Sequence, residues 1–262
     1  MIPSLHILTW LLRVLLVSIF AASACAPLKP KQTPGPIPRD QVALLTQNLT
    51  EQRSRVHTFI SSGRLSLEMD QQTISAQFFC IASRNPLRLK AEVTHSWGKP
   101  LVHFLIQAGT VTVVDLYRKK AYVGSLKGMP PLFGISTPMD AGLLWSIMRG
   151  YPELPLKSNP LWSTHRQCLL VLRRGSVAQE IRFDNQGIHP SLVVYPSTHL
   201  RVRFSDFAKN QGLFYARKVE ILNDIGAERL RLKIKEIIFN QALPPDLFQV
   251  KIPFGFSVQE GQ

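Results

Sequence analysis

The stretch Gly63–Asp70, GRLSLEMD, places Leu65, Leu67 and Met69 on one side of an extended chain and Arg64, Ser66 and Glu68 on the other. A period of two marks a strand with one buried and one wet face. The next segment, TISAQFFCIA, repeats it with Ile74, Ala76, Phe78, Cys80 and Ala82. Leu87, Leu89, Ala91 and Val93 follow, set against Arg88, Lys90 and Glu92; then come Val102, Phe104 and Ile106, and the run from Val111 to Tyr117. The breaks are short, so these strands are expected to pair as an antiparallel meander.

Working outward, the segment Arg39 to Ile60 spaces Val42, Leu45, Leu49, Val56 and Phe59 as one face of a helix, with Asp40 as its candidate N-cap. A second helix is expected over Met139 to Arg149, where Leu143, Leu144, Ile147 and Met148 form an apolar face between Pro-bearing stretches. Strand patterns then resume in CLLVLRR, AQEIRFD, SLVVYP, LRVRFSD, LFYARKVEIL and ERLRLKIKEI. About eleven strands against two helices predict a mainly β (α+β) fold. Two helices are sparse cover for so large a sheet, which is expected to curl into an incomplete antiparallel barrel with an apolar concave face. The alternative is a sandwich whose two inner faces fill each other.

The start of the chain reads as an export signal over residues 1–24. Arg13 precedes a short apolar run from Val14 to Phe20, and small residues lead to Cys25. That run is far below the ~20 residues of a spanning helix. Ala22-Ser23-Ala24-Cys25 is similar to the lipobox of bacterial lipoproteins, in which Cys25 would become the acylated first residue; Ala22-x-Ala24 also fits ordinary signal cleavage. Residues 25–38 then form a Pro-rich tether, followed by one domain over 39–258 and a tail over 259–262.

The formal net charge is +14, and removal of the leader subtracts only Arg13 from it. Export and a strong basic charge together point to membrane surfaces or acidic partners and away from nucleic acid. Arg201, Arg203, Arg229, Arg231, Lys233 and Lys235 alternate with apolar residues. They form either a solvated convex surface or a surface attracted to anionic head groups. Cys80 and Cys168 lie in apolar runs, as one disulfide or as two buried thiols. No His or Cys spacing suits a metal, and no nucleotide or nucleophile motif occurs, so the chain reads as a binding protein without a cofactor rather than an enzyme. A monomer is expected.

One turn stands apart. THSWGKPL, Thr94 to Leu101, carries Trp97 where turns take small or polar residues. Such a Trp either folds back onto its domain or touches something outside it.

The leading helix, SSGRLSLEM, AEVTHSWGKPL, GMPPLFGISTP, GLLWSIMRGYPELP, IRFDNQGIHPSLVVYP and KVEILNDIGAERLRLKIKEI together resemble the outer-membrane lipoprotein receptor family LolB, and more broadly the LolA/LolB-like superfamily of periplasmic lipoprotein carriers. The tail FNQALPPDLFQVKIPFGFSV resembles the wider superfamily. The resemblance implies a protein lipid-anchored on the periplasmic face of the outer membrane, receiving the acyl chains of lipoproteins from a soluble carrier. It implies an acyl cavity, and alternation puts Leu65, Leu67, Phe78, Leu89, Phe104 and Ile106 on the face that would line it. At about 0.8 kcal/mol per methylene, an acyl chain of ~15 methylenes costs on the order of 12 kcal/mol in water, which only an apolar cavity offsets. In the receptor family a protruding loop bears an exposed Leu followed by Gly that contacts the membrane, and Trp97-Gly98 falls at that place.

Overall fold

The computed structural model of the protein describes residues 39–69, 72–129, 139–155, 158–163, 168–184, 186–223 and 229–261. The leader, the candidate lipobox with Cys25 and the Pro-rich tether lie outside the described residues. One helix, α1 (Arg39–Ser54), opens the domain, and six strands follow: β1 (Thr58–Met69), β2 (Gln72–Ser83), β3 (Arg88–His95), β4 (Pro100–Gln107), β5 (Thr110–Asp115) and β6 (Lys120–Ser125). After α2 (Ala141–Arg149) come β7 (Asn159–Ser163), β8 (Cys168–Arg173), β9 (Ser176–Phe183), β10 (Pro190–Tyr195), β11 (Leu200–Asn210), β12 (Leu213–Asn223), β13 (Arg229–Phe239) and β14 (Ser257–Glu260).

The fourteen strands among the described residues belong to one sheet in the order β14-β6-β5-β4-β3-β2-β1-β13-β12-β11-β10-β9-β8-β7. Two meanders, β1–β6 and β7–β13, are joined where β1 pairs antiparallel with β13. The sheet is curved and unclosed, with β14 and β7 as its edges. It is therefore the incomplete barrel and not the sandwich. The eleven predicted strands are all present, and β6, β7 and β14 are additional to them. The last strand carries the fold past Val258 to Glu260, so half of the expected tail is strand.

The first helix is shorter than its apolar spacing predicts. It ends at Ser54, and Asp40 sits in its first turn because the helix already begins at Arg39. Val56 and Phe59, both buried, belong instead to the link and to β1, which starts at Thr58. Asn240 explains the early stop. Its amide donates to the Arg55 carbonyl at 2.8 Å, and its side-chain oxygen accepts from the His57 N–H at 2.9 Å, so the end of β13 takes over backbone groups that another helical turn would have used.

Gly63 sits at a register shift between β1 and β13, where a Cβ would overlap the Lys233 carbonyl oxygen. The shift bends β1 at mid-length and increases the curl of the sheet. Alternation then does what it predicts. In β3 the pattern of burial alternates strictly through Leu89, Ala91 and Val93, and in β11 through Leu200, Val202 and Phe204.

The opposite, convex face carries the basic residues. Glu220 accepts from Arg203 at 3.1 Å and from Arg231 at 3.0 Å, and Arg231 reaches Glu68 at 2.6 Å. These are cross-strand neighbours, since Arg203 and Arg231 both stand opposite Glu220 in the register. The basic stripe is thus partly neutralised by its own acidic ladder, as a solvated surface would be.

Candidate functional site

The concave face meets α2. Asp140 caps this helix, its carboxylate accepting from the Leu143 N–H at 2.7 Å, and Gly150 ends it in the left-handed region at φ 74°. Only glycine suits that position, because a Cβ would also lie 2.7 Å from the Ala216 carbonyl oxygen. The Ala216 N–H donates to the Gly150 carbonyl at 2.6 Å, pinning the helix end to β12.

More contacts fix the same end. The Ser61 hydroxyl donates to the Met148 carbonyl at 3.1 Å from within β1. Arg149, completely buried, donates to the Gln52 carbonyl of α1 at 2.7 Å and pairs with Glu153 at 3.4 Å. Glu153 also binds Arg84 from the β2–β3 connection. Arg53 donates to the Leu154 carbonyl at 2.8 Å. Burial lowers the Arg149 pKa to about 10, with the Glu153 charge working against the fall, so the guanidinium stays charged at neutral pH. Trp145 is held between the Phe59 ring, edge-on at 4.8 Å, and the Arg84 guanidinium at 4.8 Å.

Between α2 and the sheet lies a void of about 70 Å³. Its floor is Leu65 of β1, Phe78 of β2, Leu89, Ala91 and Val93 of β3, Val102 and Phe104 of β4, Ile221 of β12, and Leu230 and Leu232 of β13; its roof is Met139, Leu144, Ile147 and Met148. Every lining side chain among the described residues is apolar. An apolar cavity of about 150 Å³ takes one benzene ring, so this void, at roughly half that size, holds only a few methylenes. A long chain requires α2 to lift.

Of the six residues expected to line a cavity, Leu65, Phe78, Leu89 and Phe104 border the void. Leu67 and Ile106 are buried in the same core, at 5% and 4% exposure, away from the void's wall. The roof, with Met139 at its start, has no signal in strand alternation. Its helix is legible from the sequence, but the face of the sheet that it covers is not.

Trp97 stands at the tip of the β3–β4 hairpin and is 90% exposed. The turn is closed by Gly98 N–H to the His95 carbonyl and His95 N–H to the Lys99 carbonyl, both at 2.8 Å, with Gly98 at φ 84°. The His95 ring meets the indole edge-on at 4.9 Å. That contact orients the ring without burying it.

Cys80 and Cys168 are buried reduced thiols. Burial pushes the Cys80 thiol well above its ordinary pKa, which leaves it protonated and unreactive. Among the described residues no cluster of three His, Cys, Asp or Glu side chains could hold a metal.

An open, curled antiparallel sheet with a helix over its apolar hollow is the LolA-like fold. A LolA superfamily protein from Nitrosomonas europaea aligns at TM-score 0.54 and 10% identity, over 79% of this chain and 97% of that one. A putative outer membrane lipoprotein-sorting protein domain from Vibrio parahaemolyticus aligns at TM-score 0.51 and 12% identity, over 77% and 94%. At these identities the likeness establishes the fold alone. No family model and no curated protein matches the sequence.

Proposed function

We propose that the protein is a lipoprotein of the outer membrane's periplasmic face, anchored through Cys25, that accepts the acyl chains of other lipoproteins beneath α2 and helps place them in that membrane. In this reading it belongs with the receptor branch, LolB, a soluble carrier delivers the cargo, and Trp97 touches the bilayer. The observation that carries it is the void: a hollow whose described lining is apolar throughout, on the concave face of a LolA-like sheet and beneath α2. Transfer needs no covalent step. The acyl chain exchanges one apolar environment for another, and the roof's own side chains cover the hollow when it is empty.

The same void favours a second reading. Among the described residues no polar side chain lines it, so nothing in that wall distinguishes a lipoprotein's acyl chain from that of a free lipid or glycolipid. A triacylated lipopeptide bearing a photoreactive group mid-chain separates site from surface. Labels on β3, β4 and α2 are expected, competed by a second lipopeptide and less well by free phospholipid. Labels confined to the convex face would overturn the acyl-site assignment, and equal competition by phospholipid would move the function to the second reading.

A further inference from the structure

The edge strand β14 has a consequence for Trp97. It pairs in parallel with β6, setting Ser257 beside Lys120, so the segment just before it lies at the same end of the sheet as the β5–β6 turn. There Phe254 is 107% exposed, the Tyr117 ring in the β5–β6 turn is 74% exposed, and Trp97 stands on the next hairpin along. Three large aromatic side chains, distant in sequence, thus project from adjacent tips at one end of one sheet. At ~4.8 Å between strands the row spans on the order of 20 Å.

The tips are built rather than loose. The Asp115 carboxylate accepts from the Tyr117 and Arg118 N–H groups at 3.0 and 2.8 Å, the Leu116 N–H donates to the Leu101 carbonyl at 2.9 Å, and the Ser257 N–H donates to the Lys119 carbonyl at 3.1 Å. Lys99 holds its ammonium 5.9 Å from the Tyr117 ring centre, bridging two of the tips. Gly255, at φ 82°, turns the chain at the third. Lys99, Arg118, Lys119 and Lys120 are all exposed at these turns. The acid among them, Asp115, is engaged by its own turn and lies 3.9 Å from Arg118.

Exposed aromatic side chains rimmed by cations match the chemistry of a bilayer interface: apolar rings enter the head-group layer while ammonium and guanidinium groups meet phosphate. We infer that Trp97, Tyr117 and Phe254, with Lys99, Arg118, Lys119 and Lys120, form one docking rim for an anionic phospholipid surface. The inference rests on the proposed membrane-facing function and extends its single contact to a three-point one, which fixes the orientation of the domain on the bilayer as one tip cannot.

The test is sedimentation of the exported, leader-cleaved protein carrying C25S, so that neither the leader nor an acyl group can hold it, with vesicles of phosphatidylethanolamine alone or mixed with phosphatidylglycerol. F254S and W97S are each expected to weaken binding to the mixed vesicles about tenfold, with unchanged melting temperatures. At about fivefold per basic residue, K99S/K119S/K120S should lose roughly a hundredfold on the mixed vesicles and little on neutral ones. Wild-type binding by F254S and Y117S together with loss in W97S would overturn the rim and leave Trp97 as a lone contact. No effect of any of these variants would overturn the rim and the Trp97 contact together. Acyl labelling beneath α2 is measured in parallel and fails or succeeds independently.

Discussion

Replacing Ala91 with Leu tests whether the void is the working site. Ala91 lies on β3 between Cys80 and Phe104 and is 8% exposed, its methyl facing the void. The three carbons that Leu adds take up a volume on the order of the 70 Å³ available. At about 24 cal/mol per Å³ of cavity removed, filling the void contributes on the order of 1.7 kcal/mol to the empty protein. Since an acyl chain must then displace what fills its site, affinity should fall by at least about tenfold, at 1.4 kcal/mol per decade. Urea unfolding reads the first effect, and titration with a fluorescent lipopeptide reads the second. A91L that is more stable yet binds the lipopeptide as well as the wild type would refute the assignment of the void as the acyl site. A91L that is less stable by more than about 1 kcal/mol would show the region to be already filled.

Glu153→Gln removes the charge shared by Arg84 and Arg149, both largely buried. A loss of about 3–5 kcal/mol is expected in denaturant unfolding, because a buried cation is left uncompensated. Gly63→Ala forces a Cβ onto the Lys233 carbonyl and to 3.0 Å from the Phe78 ring, so a loss of about 2–3 kcal/mol is expected from the same measurement. His189 stacks on Phe207 at 4.5 Å and meets Phe214 edge-on at 4.8 Å; burial lowers its pKa below the ordinary 6.5, with Asp184 partly opposing the shift. The fold therefore favours the neutral ring. Its contribution to stability is complete above pH 6.5 and is lost as pH falls through the depressed folded value. The drop in unfolding free energy between pH 7 and pH 5 should be smaller in His189→Phe.

The strands with one dry face were readable because alternation is a direct record of burial. The three that escaped are explained by their surroundings. β14 is a four-residue edge strand whose side chains are all exposed, so it has no apolar register to reveal it. β7 is the other edge and contains Pro160, which reads against a strand although an edge tolerates it. β6 buries the adjacent Ala121 and Tyr122, so it has no alternation to read. The overlong first helix has a different cause: Val56 and Phe59 satisfy helical spacing, and the bond from Asn240 that stops the helix comes from the far end of the domain. The same limit applies to function. Alternation found the floor of the void at Leu65, Phe78, Leu89 and Phe104, while its closure under Leu144 and Ile147 depends on how α2 packs. Trp97 drew notice as an anomaly in its turn. Tyr117 joins it through the meander pairing of β4 with β5, and Phe254 only through the pairing of β14 with β6, which no local pattern encodes.

The most direct measurement is native mass spectrometry of the protein beginning at Ala26, exported to the periplasm and purified without detergent, with any bound species released and identified. The proposed function predicts acylated protein in the bound fraction, and its loss in A91L. Free lipid alone would contradict the lipoprotein assignment, and an empty, stable wild-type protein would contradict acyl binding altogether.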